Sequence, residues 1–242
     1  MSDLIISGAN GNMGRLVNDL VESLEEFEVV ALFDPSYNSN QEKNLKKSDI
    51  TNLPKADLIV DFSSSSSILL NSEYWVSNYK NIIIGSSGLT KEDRNVLEDS
   101  LNDDQLFWIV PNFSIGSILQ KKWSIEASKY FRFASITERH HSKKQDTPSG
   151  TSYDLASNLT HIVSENLSEN KDTVNVNDIN ITSIRDDKYL AEQEIVLSGN
   201  DEVLSIEHIS LSRDSFTKGI LIALSEYKKL SGLNVGLDAV LK

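Results

Sequence analysis

Leu4-Ile5-Ile6 runs straight into Ser7-Gly8-Ala9-Asn10-Gly11-Asn12-Met13-Gly14. An amphipathic pattern starts at once, with Met13, Leu16, Val17, Leu20, Val21 and Leu24 recurring at three-four spacing. A short buried strand, a turn with a glycine at every third position and a helix constrain the fold more than any other stretch. Glycines let such a turn bend tightly and let its backbone approach an anion that rests on the helix N-terminus. The next apolar run, Val29 to Phe33, delivers Asp34, 20 residues beyond Gly14. An acidic side chain in that place holds the ribose hydroxyls of a dinucleotide. The same residues also permit a plain glycine turn with Asp34 as a solvated strand end.

The pattern continues. Leu58 to Phe62, Ile82 to Ile84 and Leu106 to Val110 are continuous apolar runs, with helical periodicity over 66–79 and 90–101 between them. Such runs separated by helices predict a parallel sheet covered on both faces. Ligands in an open sheet of this kind bind beyond the carboxyl ends of the strands. Gly85-Ser86-Ser87-Gly88 and Val110-Pro111-Asn112-Phe113 follow two such ends.

The second half reads differently. A helix is expected over 115–130, its apolar positions Ile115, Ile118, Leu119 and Trp123, then a strand from Phe133 to Arg139 that ends in His140-His141. A helix carrying Leu155, Leu159, Ile162 and Val163 follows, and the polar stretch 164–178 reads as a mobile connection. Strands at 179–184, 194–197 and 203–211 have few helices between them and predict a second, more antiparallel sheet. A helix from Asp214 to Leu230 closes the chain. The fold class is therefore α/β: a Rossmann-like parallel-sheet nucleotide domain plus an inserted α+β domain with a mixed sheet.

Composition narrows the partners. A net charge of −13 repels nucleic acid and anionic membranes. The absence of cysteine excludes disulfides, thiolate nucleophiles and cysteine zinc sites, and no metal is expected. No apolar run approaches the roughly 18 residues of a membrane span. The first residues do not read as a signal peptide, so a cytoplasmic location is expected.

The stretch from His140 to Thr151, HHSKKQDTPSGT, concentrates proton-transfer and anion-binding chemistry. Histidines titrate near neutrality. Lys144 lies close enough in sequence to serve the same pocket. Pro148 suits a first helical turn, after which the N–H groups of Ser149, Gly150 and Thr151 would face an anion. The alternative is an ordinary capped helix start, in which Asp146 or Thr147 satisfies those donors itself.

ERHHSKKQDTPSGT resembles the signature of the dihydrodipicolinate reductase family, E-x-H-H-x-x-K-x-D-x-P-S-G-T. Other landmarks fall in the family's order across nearly the whole chain: GANGNMG, DFS at 61–63, GSSG, PNFSIG, and SLSRDSF with Arg213 and Phe216. The resemblance implies NADH- or NADPH-dependent reduction of 4-hydroxy-tetrahydrodipicolinate, a cyclic dicarboxylate, to tetrahydrodipicolinate with loss of water, in lysine and diaminopimelate biosynthesis. It implies a nucleotide domain at 1–112 plus 214–242 and a substrate-binding, homotetramer-forming domain at 113–213. By motif, His140 and Lys144 are the proton-transfer pair, and His141, Ser149, Gly150 and Thr151 hold the substrate carboxylates. Gly8, Ala9, Asn10, Gly11, Asn12, Met13, Asp34, Gly85, Ser86, Ser87, Val110, Pro111, Asn112 and Phe113 hold the cofactor. Asp34 opposes a 2′-phosphate, and neither Pro35 nor Ser36 supplies a cation, so NADH is expected to be preferred. Two other readings remain: a catalytically silent dinucleotide binder, and a related reductase for another small carboxylate. The sequence departs from the family in GSSG for GTTG, and at 185–194, where Arg185 is kept but the usual glycines and histidine are not.

Overall fold

The computed structural model describes residues 1–37, 45–166, 172–238 and 240–241. In chain order its elements begin with β1 (Ser2–Ser7), α1 (Asn12–Val21), β2 (Phe27–Phe33), β3 (Lys46–Lys47), β4 (Leu58–Asp61) and α2 (Ile68–Asn78). They continue with β5 (Asn81–Ile84), α3 (Lys91–Asp99), β6 (Leu106–Ile109), α4 (Ile115–Ser128), β7 (Phe133–His140) and α5 (Gly150–Asn158). β8 (Thr173–Val176), β9 (Ile179–Arg185), β10 (Ala191–Gly199), β11 (Glu202–Ser210), α6 (Thr217–Glu226) and β12 (Gly232–Val235) complete them. The chain divides into two compact units, Met1–Phe113 with Phe216–Lys242, and Ser114–Ser215.

The first unit is built on a parallel sheet ordered β12-β6-β5-β4-β1-β2-β3. The chain winds outward from β1 through β2 to β3, then returns to β4 on the other side of β1. That reversal creates a crevice at the carboxyl ends of β1 and β4. Leu4, Ile5 and Ile6 are fully buried, as residues of a strand covered on both faces must be. One core cluster joins Ile5, Ile59, Ile82 and Phe107 of the strands to Ile68, Trp75 and Leu97 of α2 and α3. Gly14 lets α1 sit against the loop, because a Cβ there would lie 2.4 Å from the Gly8 carbonyl oxygen.

Two elements of this unit escape the sequence patterns. β3 has only two residues, both lysines, and β12 follows a C-terminal helix shorter than expected. The expected helix from Asp214 to Leu230 is a 3₁₀ turn at Arg213–Phe216, α6, and a second 3₁₀ turn at Tyr227–Lys229.

The second unit is a mixed sheet ordered β11-β10-β7-β9-β8, in which β7 and β9 run parallel and the other pairs antiparallel. Ala134, Ile136, Ile181, Ile195 and Leu197 from alternate strand positions form its core with Leu155 and Ala156 of α5. α4 corrects the sequence reading. It buries Ser117, Gln120, Ser124 and Ser128, while Trp123, expected on its apolar face, is 55% exposed. Small side chains at three-four spacing let the helix lie close to the sheet, and Gln120 donates to the carbonyls of Gln193 and Ile206. α5 ends at Asn158, where Leu159 turns extended, so Ile162 and Val163 lie beyond it; Val163 forms a bridge with Phe133 instead. Thr173–Val176, expected within a mobile connection, is strand β8; residues 167–171 of that connection lie outside the described residues.

Candidate active site

In the first unit, the loop after β1 carries the dinucleotide candidates. Gly8 adopts a φ of +68°, and a Cβ there would lie 2.6 Å from the Phe62 backbone, so only glycine fits. Gly11 is the N-cap of α1, and no side chain caps that helix. Its first N–H groups are therefore open to an anion, beside the exposed Asn10, Gly11 and Asn12. Asp34 faces this loop from the end of β2. Its Oδ2 accepts the Asn10 N–H at 3.0 Å, and its Oδ1 accepts the Ser36 N–H at 2.9 Å and hydroxyl at 2.6 Å. Arg15, which sequence reasoning missed, donates to the Asn10 side-chain oxygen at 2.7 Å. Its signal was its place one turn into α1, facing back to the loop.

The neighbouring strand ends gather at the same edge. Gly85 N–H donates to Asp61 at 2.8 Å, and Val110 N–H to Ile84 at 2.8 Å. A Cβ on Gly85 would lie 2.1 Å from the Phe62 ring, which itself packs on Phe113 at 5.8 Å between centroids. The Ser86 hydroxyl is taken by the Ser63 carbonyl at 2.5 Å, while Ser87 is exposed. Val110 and Phe113 are buried, Pro111 is exposed and Asn112 is half-buried. The glycine loop, an uncapped helix start, and a carboxylate at the ribose position fit a nicotinamide dinucleotide.

In the second unit, β7 turns from apolar to polar along one face. Ala134 and Ile136 belong to the core; Glu138 and His140 occupy the next two positions of the same face. Glu138 is fully buried. Its register partners are Ser183 on β9 and Gln193 on β10, and His140 stands opposite Arg185. The Glu138 carboxylate accepts the Ser149 N–H with both oxygens at 3.1 Å, the Ser183 hydroxyl at 2.6 Å and the Arg185 guanidinium at 2.9 Å. Burial alone would raise its pKa, yet these bonds outweigh it and hold the pKa below the ordinary value. Burial pushes the His140 imidazole well below its usual value, with the Glu138 carboxylate pulling it back up. His140 is thus neutral at neutral pH in the ligand-free chain.

The expected anion cradle is partly filled by the chain itself. Ser149 is the buried N-cap of α5: its N–H goes to Glu138, and its hydroxyl lies 3.3 Å from the Ser152 N–H. This corrects the expectation of three unpaired N–H groups. The Asp146 carboxylate accepts from Lys144 at 2.8 Å and is also stabilised by the Gly150 N–H. Burial opposes that charge, but these partners keep its pKa low. Gly150 has nothing within 4 Å of a would-be Cβ, and Thr151 is half-buried beside it. Arg185 braces the loop from below through the Asp146 carbonyl at 2.7 Å and the Thr147 hydroxyl at 3.3 Å.

The divergent 185–194 segment forms part of this structure. Asp186 N–H donates to the His140 carbonyl at 3.0 Å, and Asp187 accepts the Ser142 hydroxyl next to His141. Sequence reasoning missed Glu138 as a site residue, although period two on the strand sets it beside His140.

The family model described as dihydrodipicolinate reductase, N-terminus, matches residues 2–113, and the C-terminus model matches 116–241. The chain belongs to the dihydrodipicolinate reductase family. It is 32% identical over 244 residues to the 4-hydroxy-tetrahydrodipicolinate reductase of Coxiella burnetii (strain Dugway 5J108-111), covering 99% of each chain. It is 33% identical over 247 residues to that of Legionella pneumophila (strain Paris), covering 98% of each. Among solved structures, a dipicolinate-bound dihydrodipicolinate reductase from Paenisporosarcina sp. TG-14 matches over 100% of both chains, at a TM-score of 0.78 and 24% identity. A probable dehydrogenase from Thermotoga maritima shares the fold at a TM-score of 0.68 and 12% identity, over 97% of this chain and 90% of that one. Membership of this reductase family bears out the resemblance carried by the HH-x-x-K and PSGT motifs.

Proposed function

We infer that this chain reduces 4-hydroxy-tetrahydrodipicolinate to tetrahydrodipicolinate with a nicotinamide cofactor, a step of lysine and diaminopimelate biosynthesis. One observation carries the reading beyond family membership. His140, Lys144 and the first turn of α5 are tied together through Glu138, Asp146 and Arg185. In this reading they would combine a proton-transfer group with an anion site, as a cyclic dicarboxylate requires.

In the reaction, substrate, NAD(P)H and one proton give tetrahydrodipicolinate, NAD(P)⁺ and water. When bound, the nicotinamide supplies the hydride. The loop from Gly8 to Met13 would hold the pyrophosphate, Asp34 the ribose, and Gly85 to Ser87 with Val110 to Phe113 the nicotinamide side. Lys144, Gly150 and Thr151 would take one substrate carboxylate, displacing Asp146 from the place it fills. Ser149 would shape that cradle as its cap, and His141 would face the second carboxylate. His140 would deliver the proton that follows hydride addition, with Lys144 as a second donor. A bound dianion raises the pKa of a nearby histidine, which moves His140 toward the protonated form when the proton is needed.

NADH is the preferred cofactor in this reading. Asp34 opposes a 2′-phosphate, and among the described residues no cation is paired with it. The homotetramer implied by the family would use the outer face of the mixed sheet, where Val203 and Ile209 are exposed. Among the described residues, no helix is long and apolar enough to cross a membrane.

The test is cofactor oxidation in the presence of substrate made freshly by dihydrodipicolinate synthase from pyruvate and aspartate semialdehyde. Oxidation that depends on the synthase supports the reading. Cofactor binding without oxidation would establish the silent alternative.

A further inference from the structure

We propose that Glu138 is the positioning residue of this site: its carboxylate takes the Nδ1–H of His140, leaving Nε2 to serve the substrate, and fixes the start of α5 against the same strand. The inference rests on the reading of His140 as the proton-transfer group.

The geometry leads to it from several sides. Glu138 Oε2 lies 3.4 Å from His140 Nδ1, and that nitrogen is buried without a formed hydrogen bond. A buried ring nitrogen facing an ionised carboxylate is satisfied only as a donor, because a carboxylate offers no proton in return. A small rotation of the ring closes the contact. The carboxylate itself is held on all sides: Ser149 N–H, the Ser183 hydroxyl and Arg185 fix its orientation. The Ser152 hydroxyl lies 3.2 Å from Oε2 and 2.6 Å from Gln193 Oε1, and Gln193 in turn bonds Gln120 of α4. The polar chain therefore joins β7, α5, β10 and α4 around one charge.

A core glutamate that served only the helix cap would need neither the histidine on its own face nor the arginine opposite that histidine. The strand pleat supplies the first and the β7–β9 register the second. The charges that face His140 are few. Glu138 and Asp146 favour its protonation, whereas Lys144 and Arg185 oppose it, and the turn after β9 reaches it through the Asp186 backbone. Glu138 is the one among them that bears on Nδ1 directly, so it decides the tautomer.

Imidazole nitrogen NMR of the full chain labelled with ¹⁵N tests this without turnover. The chain has four histidines, and the His140 signals are those lost in His140→Gln. Neutral His140 in the wild type is expected as the Nδ1–H tautomer. An Nε2–H tautomer would overturn the proposal, whatever any variant does. In Glu138→Gln, the His140 pKa is expected to fall by about one unit or more, as loss of an adjacent opposite charge requires. The alkaline limb of kcat/KM, where activity is lost as the proton donor deprotonates, should move down with it, and kcat should drop about tenfold or more. A lower melting temperature with the His140 pKa unchanged would assign Glu138 a structural role only and also overturn the proposal. If the wild type shows the Nδ1–H tautomer and the Glu138 linkage but no turnover, the functional reading fails while the linkage stands.

Discussion

Glu138 and His140 stand two residues apart on β7, so the pleat turns both to the face covered by helices, with His140 Nδ1 3.4 Å from Glu138 Oε2. The same carboxylate holds the Ser149 N–H. His140 and the start of α5 therefore meet at one carboxylate, His140 through a 3.4 Å ion-pair contact and Ser149 through a hydrogen bond. A change at either end is felt at the other, and this shapes what each substitution should do.

His140→Gln and Lys144→Ala should each lower kcat by about two to four orders of magnitude, the range of lost general acid catalysis. Steady-state kinetics at saturating cofactor would measure this. Near-normal turnover in either variant removes that residue from the proton-transfer role. Lys144→Ala should also raise KM, because the same ammonium is assigned to a carboxylate.

Gly150→Ala separates binding from folding. A Cβ there meets nothing within 4 Å, so the melting temperature should stay within a degree or two of wild type, by the roughly 0.5 kcal/mol expected of an uncrowded surface change. KM for the dicarboxylate should rise about tenfold, since the methyl group enters the proposed anion site. Gly14→Ala makes the contrast: its Cβ would lie 2.4 Å from the Gly8 carbonyl oxygen, and overpacking of this kind costs about 1–3 kcal/mol. Equal stability losses in the two variants would contradict the assignment.

Asp34→Ser should shift cofactor choice. Removing the carboxylate takes away both the ribose acceptor and the repulsion of a 2′-phosphate. The ratio of kcat/KM for NADH to that for NADPH should fall about tenfold or more. An unchanged ratio means that Asp34 does not meet the ribose.

Stability should fall as pH drops from neutral. Burial lowers the pKa of His140 and His208 from the ordinary 6.5, so below that value the unfolded chain binds more protons than the folded one. Stability is then fully present above about pH 6.5 and is lost as pH falls toward the folded values. Glu138 acts in the same direction at lower pH, because its lowered pKa contributes stability above 4.5 that disappears as it is protonated. Thermal melts across this range should show the decline, and His140→Gln should reduce its slope by up to about one proton. A flat profile would contradict the burial argument.

Much of this was legible in the sequence because the signals are local. The strand–glycine–helix unit at 4–24 declares itself through periodicity and steric demand, and Asp34 through its place at a strand end. The His140–Thr151 stretch is dense enough to mark itself. What was not legible depends on partners distant in sequence. β3 is two lysines held by pairing to β2, and β12 follows a helix that ends at Glu226, short of the expected Leu230. Trp123 fits an apolar stripe in sequence, but α4 turns its small polar residues to the sheet because Gln120 reaches carbonyls on β10 and β11. Ser149 looked like a free donor because its acceptor, Glu138, lies eleven residues earlier in the chain. Glu138 itself had a signal, the period of two that pairs it with His140, but its meaning depends on β9 and β10 flanking β7.

The most direct measurement follows the hydride itself. The protein is incubated with NADH deuterated at the transferred C4 position and with substrate generated in place by dihydrodipicolinate synthase, and the product is examined by NMR. The account predicts one deuterium in the ring of tetrahydrodipicolinate, at a rate that collapses in His140→Gln. A product ring without deuterium, or label transfer that is unchanged in His140→Gln, would contradict it.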